Sequence, residues 1–271
     1  MKRAALAEEE TKKFTEIDCN GVKLELVKIP AGTFMMGSPE NELGRQDDEI
    51  LHQVTLTKDY WLGKYPVTQA QWRAVMGNNL SYFKGDNRPV ENVTWHETKE
   101  FCEELNRLYA GKLPQGYKFD LPTEAQWEYA CRAGTTTALN NGTNLTNLAD
   151  NCSNLAEVAW NDWTEEGTQT YPVGQKRPNA WGLYDMHGNV DEWCRDLYDD
   201  YSSGAVVDPV VSQTGSSRVF RGGCWFSEAF WCRSACRNSF RPSWCMVHLP
   251  PRLPPRSGAG AVRPGRVFTE K

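Results

Sequence analysis

The sequence predicts an α+β domain made of short strands, three helices and long irregular segments. Alternating apolar residues at Val22, Leu24 and Leu26 indicate a half-buried strand. Three boxes of the form Thr-x-x-Glu or Thr-x-x-Gln precede amphipathic segments, a pattern typical of capped helices. Much of the remaining chain is rich in Gly, Asn and Thr, without clear periodicity. Few helices among short strands and long loops favour one α+β domain.

The predicted strands lie in the first quarter of the chain. VKLEL (22–26) alternates, and AGTFMMGS (31–38) is expected to continue the same strand into a glycine turn. HQVTLTKDYWLGKYPV (52–67) predicts another strand. Residues 1–20 are charged and lack a period, so we expect an N-terminal arm or a short helix there.

The three helices are predicted from their first turns, where the Thr hydroxyl and the Glu or Gln side chain satisfy free backbone amides. The boxes pair Thr68 with Gln71, Thr94 with Glu97, and Thr123 with Gln126, and the helices should end at Gly77, Gly111 and Gly134. The second helix carries an apolar stripe of Trp95, Thr98, Phe101, Cys102, Leu105 and Leu108, which predicts packing on a core. Its residues Glu100, Glu103 and Glu104 indicate a solvated face, not catalytic carboxylates.

Composition narrows the classes of partner. The 271 residues include 30 basic and 35 acidic side chains, a net charge of -5, which argues against nucleic-acid binding through a basic field. No apolar run approaches the roughly 20 residues of a membrane span. The apolar segment at residues 4–7 is too short for a secretory signal. We expect a monomer, located at the cell surface if a leader has been removed and otherwise in the cytoplasm.

Residues 218–248 are the most unusual stretch, RVFRGGCWFSEAFWCRSACRNSFRPSWCMVH. From Cys224 onward it holds six aromatic rings and four of the nine cysteines, with no helical or strand period. The nine cysteines show no zinc spacing and no legible disulfide framework. The stretch is either an aromatic core or an interaction surface, since clustered Trp, Phe, Met and Arg are typical of binding hot spots.

Six segments then occur in a recognisable order: LVKIPAGTFMMGS, KYPVTQAQW, RPVENVTWHETKEFC, LPTEAQWEYACRAGT, GLYDMHGNVDEWCRD and RVFRGGCW. They resemble the formylglycine-generating-enzyme, or sulfatase-modifying-factor, type of C-type lectin fold. This resemblance implies one loop-rich α+β domain over 21–253, with tryptophan packing and often calcium. The family's closing G-F-R-L strand is replaced by LPPRL (249–253), and the Pro/Gly/Arg-rich residues 254–271 predict a disordered tail.

The enzymes of this family convert a sulfatase cysteine to formylglycine with a copper-binding pair of cysteines separated by four residues. Here Cys232 and Cys236 have three residues between them, and Cys224 and Cys232 have seven. The catalytic pair is therefore not matched, and we expect neither copper binding nor this activity.

A second resemblance concerns RGG-S-W, a variable run, CRSA-x-R and a later proline. It is similar to the variable proteins of diversity-generating retroelements, in which an error-prone reverse transcriptase rewrites chosen codons. The scaffold would be Trp225, Ala229, Cys232, Arg233, Ser234, Ala235, Arg237 and Pro242, with Cys224 in place of the family's serine. The diversified ligand-binding positions, within about 224–248, would be Phe226, Ser227, Glu228, Phe230, Trp231, Cys236, Ser239, Phe240, Ser243, Trp244, Met246, Val247 and His248.

The resemblance to the formylglycine-generating-enzyme type of fold also implies a structural calcium site in the segment DMHGNVDEW. Its ligands would be Asp185, Gly188, Val190 and Glu192, a mixture of carboxylate and carbonyl oxygens that suits this ion. The alternative is a turn held by Asp185 and Asn189 side chains without metal. His187 has no Cys or Asp at catalytic spacing and is interpreted as structural.

Three functions are compatible with these patterns. The first is a receptor-like protein whose hypervariable surface binds a protein or glycan ligand. The second is a cysteine oxidase that acts on sulfatases, against which the unmatched cysteine pair argues. The third is a carbohydrate-specific lectin, but no EPN or QPD motif for calcium-mediated sugar binding is present.

Overall fold

Four sheets and four α-helices make up the fold in the computed structural model, which describes residues 16–113, 116–148, 152–161, 169–213, 215–245, 262–263 and 268–270. The helices are α1 (Gln69–Met76), α2 (Trp95–Leu108), α3 (Glu124–Arg132) and α4 (Ser153–Ala156). The first seven strands are β1 (Glu16–Cys19), β2 (Val22–Ile29), β3 (Gly32–Met36), β4 (His52–Leu56), β5 (Tyr60–Gly63), β6 (Lys118–Asp120) and β7 (Ala159–Trp160). The others are β8 (His187–Gly188), β9 (Asp191–Leu197), β10 (Val206–Val207), β11 (Arg218–Arg221), β12 (Arg237–Phe240), β13 (Val262–Arg263) and β14 (Phe268–Glu270).

The sheets join strands that are far apart in sequence. The largest has the order β1-β2-β5-β14-β6, and a four-stranded sheet has the order β12-β11-β9-β13. A three-stranded sheet, β10-β4-β3, and the pair β7-β8 complete the set. The α+β, loop-rich architecture agrees with the prediction.

The segments expected to be an arm and a tail contribute strands to these sheets. Residues 16–19 pair antiparallel with β2, so the predicted arm over 1–20 is wrong for these four residues. Phe268–Glu270 pair with β5 on one side and β6 on the other, and Val262–Arg263 pair with β9. The predicted disorder of 254–271 is therefore wrong for these five residues. The Pro/Gly/Arg-rich composition of this segment favours disorder, but composition carries no information on which strands could pair with it.

Two predicted strands are each divided. The chain leaves the largest sheet after Ile29, and Gly32–Met36 instead pair with β4 in the three-stranded sheet. Likewise, residues 52–67 contain β4 and β5, which belong to different sheets. Local alternation predicts that a segment is extended, but it does not reveal a change of sheet between two extended segments.

All three predicted capping boxes are present, with the expected Thr and Glu or Gln residues. Helix α1 ends as predicted at Gly77, which is in the left-handed region with φ of 75°. Helix α2 ends earlier than expected, with Tyr109 as its C-cap. Helix α3 is capped by Ala133, at φ of 46°, immediately before the predicted Gly134.

The core consists of three clusters of buried apolar side chains. The predicted stripe of α2 supplies Phe101, Cys102 and Leu105 to the first cluster, where Trp72 stacks on Phe101 with 5.1 Å between ring centroids. Strands β4 and β5, helix α3 and residues near 186 form the second. The third, which includes Leu139 and Leu155, lies in the irregular region and packs against residues 229–232. Within the described ranges, no helix is long and apolar enough to cross a membrane.

Candidate functional site

The stretch 218–245 is a strand, a tight turn, a short 3-10 helix and a second strand. Strands β11 and β12 pair antiparallel, and the 3-10 helix covers Ala229–Cys232 between them. Gly222 and Gly223 make the turn with φ of 102° and 72°. A Cβ atom at Gly223 would lie 2.8 Å from the Cys232 sulfur, so this close approach requires glycine.

Helix α3 holds this stretch through two buried arginines. Arg221 donates from Nη1 to Glu124 at 2.8 Å and from Nη2 to Glu128 at 2.5 Å. Arg237 donates from Nε and Nη2 to the two carboxylate oxygens of Glu124, at 2.9 and 2.8 Å. Burial alone would raise the pKa of Glu124, but Arg237 and Arg221 hold it below its ordinary value. These charges are compensated within the core and fix the backbone around residues 221 and 237.

A third buried arginine ties the stretch to the loop after β3. The Arg233 side chain is fully buried and donates to the Glu49 carboxylate oxygens at 2.5 and 2.8 Å. It also donates to Glu42 at 2.6 Å and to the Gly44 carbonyl at 2.6 Å. Glu42 and Glu49 thus supply the negative charge that balances Arg233, and the Gly44 carbonyl supplies a further hydrogen-bond acceptor.

The predicted binding residues before β12 surround the 3-10 helix. Glu228 is exposed, whereas Phe226, Ser227, Phe230 and Trp231 are half-buried. The rings of Phe230 and Trp231 contact each other at 4.7 Å, and Phe230 packs against the third core cluster. These rings are therefore less exposed than a purely displayed surface would be.

The predicted binding residues from β12 onward form a second group. Ser243 and Trp244 are exposed, the latter by 53%, and Ser239 and Phe240 are half-buried. Phe240 contacts Trp244 at 5.4 Å and packs against the first core cluster, not the third. Ser217, Ser239, Phe240, Arg241 and Trp244 line an open cleft of about 330 Å³.

The cysteines of the stretch require a correction. Cys236 was assigned to the binding surface, but it is only 3% exposed, so it is removed from that set. Cys224 and Cys232 are also buried, and Cys245 is exposed. Burial raises the pKa of Cys236 to about 12 and that of Cys232 well above the usual thiol value. Met246, Val247 and His248 lie outside the described residues.

His187 links three segments beneath the stretch. Its Nε2 accepts the Asn140 backbone N–H at 3.0 Å, so the ring proton is on Nδ1, which donates to the Cys232 carbonyl at 2.6 Å. The Cys131 sulfur lies 3.8 Å from Nε2. Burial lowers the pKa of His187 to about 4. A neutral imidazole in this position supports the predicted structural role.

We expect acid to destabilise the protein through His187. Between pH 6.5 and 4 the unfolded chain takes up a proton at this residue and the folded chain does not, so the free energy of unfolding falls by roughly 3 kcal/mol as pH decreases. Urea unfolding at pH 7, 6, 5 and 4 measures the slope. The control is His187→Gln, which can donate and accept hydrogen bonds without titrating. The same slope in this variant would assign the acid sensitivity to other groups.

Three of the four predicted calcium ligands, Asp185, Gly188 and Glu192, already accept hydrogen bonds within the protein. Asp185 accepts the Gly174 N–H at 2.7 Å and the Asn189 side-chain amide at 3.4 Å. Glu192 accepts the Trp127 indole N–H at 3.0 Å, and the Gly188 carbonyl accepts the Val190 N–H at 2.6 Å. These bonds correspond to the alternative in which the turn is held without metal, and coordination would have to replace some of them.

Calcium at Asp185, Gly188, Val190 and Glu192 thus stays a prediction. If it binds the folded chain, calcium at a hundredfold excess over Kd should add about 2.7 kcal/mol of stability. The melting temperature in calcium and in chelator checks this. Equal values, together with wild-type behaviour of Glu192→Ala in calcium, would remove the site.

Sequence reasoning missed two kinds of residue. The acidic partners Glu42, Glu49, Glu124 and Glu128 were not recognised, because they are far in sequence from the arginines they pair with. Ser217 and Arg241 were not assigned to the site, although they line the same cleft as Phe240 and Trp244. The position of Arg241 inside the predicted variable stretch 224–248 was the available signal.

The fold and its buried scaffold define a C-type lectin domain of the formylglycine-generating-enzyme type. A family model described as sulfatase-modifying factor enzyme 1-like domain matches residues 13–250, and the chain belongs to this family.

Several known proteins resemble the chain over much of its length. The chaperone protein LppX of Paenibacillus barcinonensis is 34% identical over 220 residues, which cover 65% of this chain and 72% of that protein. The formylglycine-generating enzyme of Mus musculus is 32% identical over 211 residues, covering 75% of this chain and 53% of the enzyme. The chain therefore spans about half the length of the mouse enzyme.

The structure is also similar to Treponema denticola variable protein 1. The TM-score is 0.74 at 28% identity, and the match covers 94% of this chain and 97% of that one. The predicted fold class is confirmed, as is the predicted resemblance to variable proteins of this fold.

Proposed function

We propose that the chain is a receptor-like binding protein that presents the residues around the 3-10 helix and β12 to a ligand. The main support is the division of burial within one stretch. Six of the eight scaffold residues are at most 3% exposed, and the other two, Trp225 and Pro242, are half-buried. Among the positions interpreted as diversified, those in the described residues reach the surface at least partly, Cys236 excepted.

This division suits a surface that tolerates substitution. The buried arginines fix the backbone through partners in α3 and in residues 42–49, which lie outside the variable stretch. The partly exposed rings would add contact area at low cost in conformational entropy, as aromatic hot spots do. The similarity to Treponema denticola variable protein 1 also supports the proposal.

The cysteine-oxidase alternative has support from the family relationship but less from the residues. Its catalytic cysteines act as thiolates, whereas burial favours the neutral thiol at Cys232 and Cys236. Their spacing also differs from that of the enzymes. Copper-dependent conversion of a sulfatase-motif peptide, abolished by Cys232→Ser, would replace the binding proposal with this one.

We expect surface rings and core rings to respond differently to substitution. Trp244→Ser should change the free energy of unfolding by only about 0.5 kcal/mol, because the ring is 53% exposed. Phe230→Ser and Trp231→Ser, at half-buried rings, should cost more, on the order of 1 kcal/mol. The control Trp127→Ala removes a fully buried ring and should cost roughly 3–5 kcal/mol. Urea unfolding midpoints measure the stability of the four variants. If the variants at Phe230, Trp231 and Trp244 lose as much stability as Trp127→Ala, these three rings belong to the core.

Binding itself is tested by selecting a random peptide library on yeast against the full chain. Selected peptides should bind wild type and lose affinity for Trp244→Ser or Phe240→Ser while both variants stay folded. Peptides that bind all these proteins equally would contradict the proposed surface. Independently, DNA near the gene should hold a near-copy of the codons for 224–248 beside a reverse transcriptase.

A further inference from the structure

The cleft beside β12 combines rings interpreted as diversified with polar residues outside that set. Phe240 and Trp244 form its aromatic wall, with Ser239 beside them. Ser217 and Arg241, which are outside the positions interpreted as diversified, complete the lining. If only the diversified positions vary, a feature shared by the ligands of this cleft would have to be recognised by Ser217 and Arg241.

Two arginines near the cleft differ from the three that anchor the stretch. Arg218 is the direct cross-strand partner of Phe240, so the two side chains share one face of the sheet. Its guanidinium lies over the Trp95 ring at 4.0 Å and donates from Nη1 to the Arg195 carbonyl at 2.7 Å. Its Nε is buried and has no hydrogen-bond partner among the described residues.

Neither Arg218 nor Arg241 forms an ion pair within the part of the chain that the structure describes, whereas Arg221, Arg233 and Arg237 all do. Burial lowers the pKa of Arg218, and the charge of Asp196 offsets only part of this effect without forming an ion pair. Among the described residues, the arginines behind the stretch are thus paired directly with carboxylates, whereas Arg218 and Arg241 are not.

We propose that the cleft binds an acidic side chain, aspartate or glutamate, of a polypeptide ligand, with Arg241 as the primary contact and Arg218 as a nearby supporting charge. The inference rests on the proposed binding function and specifies its ligand. A guanidinium recognises a carboxylate through charge-assisted, often bidentate hydrogen bonds. Phe240 and Trp244 would pack on the aliphatic stem and on neighbouring ligand residues.

The shape of the cleft favours a polypeptide. Its volume of about 330 Å³ suits one side chain with its flanking backbone. Among the described residues β12 pairs with a strand on one side only, so an extended segment can lie on its other side. The Ser239 N–H is already bound by the Asn238 side chain at 2.9 Å. Recognition would therefore come from side chains in the cleft and not from an added strand ladder.

The test uses the yeast-displayed random peptide library selected on the full wild-type chain. We expect aspartate or glutamate to be enriched at one position of the selected peptides. Arg241→Gln should weaken binding of these peptides by about tenfold or more, the usual effect of losing a hydrogen bond between charged groups. Arg177→Gln is the control, because it removes an exposed cation distant in sequence from the cleft and should leave binding unchanged.

A second variant, Arg218→Gln, and the dependence of peptide binding on salt distinguish the possible outcomes. Arg218→Gln, checked for an unchanged melting temperature, should give a smaller loss, and binding should weaken as NaCl rises from about 50 to 500 mM. If Trp244→Ser abolishes binding but Arg241→Gln does not, the acidic-ligand inference fails and the proposed function stands. If neither variant affects binding, both fail. Arginine-dependent binding of dextran sulfate without any enriched acidic peptide would overturn the assignment to a polypeptide.

Discussion

Replacing Arg233 with methionine is expected to lower the free energy of unfolding by about 3–5 kcal/mol. The guanidinium is fully buried, as is the carboxylate of Glu49, and Glu42 is 3% exposed. Methionine keeps much of the volume but removes the charge, so two carboxylates remain buried with no cation between them. Burial already raises the pKa of Glu42 despite Arg233, and the pKa should rise further without it.

Urea unfolding at pH 7 measures the stability lost by Arg233→Met, and two further variants serve as comparisons. Arg177→Met removes an exposed arginine that pairs with Glu157 at 3.7 Å and should cost at most about 1 kcal/mol. Arg233→Met combined with Glu49→Leu should recover part of the loss, because the buried carboxylate is removed as well. A loss below about 1 kcal/mol for Arg233→Met alone would mean that water or a side-chain movement neutralises the site.

The helices were predictable because their determinants are local. A capping box involves residues three positions apart, so Thr94 and Glu97 identify the start of α2 without knowledge of the rest of the fold. The predicted end of α2 at Gly111 is wrong, because the helix is capped by Tyr109, whose backbone is not in the left-handed region. Strand partners were not predictable, because the pairing of β14 with β5 joins residues about 200 positions apart, and alternation in one segment does not specify its neighbour.

The candidate site was predictable to a different extent. The resemblance assigned Arg233 and Arg237 to the scaffold, and both side chains are buried in the structure. It failed at Cys236, whose small apolar side chain fits the core as readily as a scaffold residue would. It also gave no indication of Glu42 and Glu49, since ion pairs between residues 191 and 184 positions apart leave no local pattern.

Deleting residues 262–271 is expected to have the largest effect of any change considered for this protein. Strand β14 lies between β5 and β6, pairing Phe268 with Leu62 on one side and Asp120 on the other. Tyr60, Trp61 and Leu62 of β5 are buried, so the backbone groups that face β14 have little access to water. Each buried backbone group left unpaired costs about 1–3 kcal/mol, and several such groups together approach the total stability of a typical domain.

We therefore expect the deleted chain to lose cooperative unfolding, and the amides of β5 and β6 to lose protection from hydrogen exchange. Circular dichroism with urea titration measures the first effect, and exchange followed by mass spectrometry locates the second. Removal of Lys271 alone is the matched control, because it shortens the chain and leaves Phe268–Glu270 in place. An unchanged midpoint and protected β5 amides in the deleted chain would show that β5 and β6 close on each other, and that the last strand is not required for the sheet.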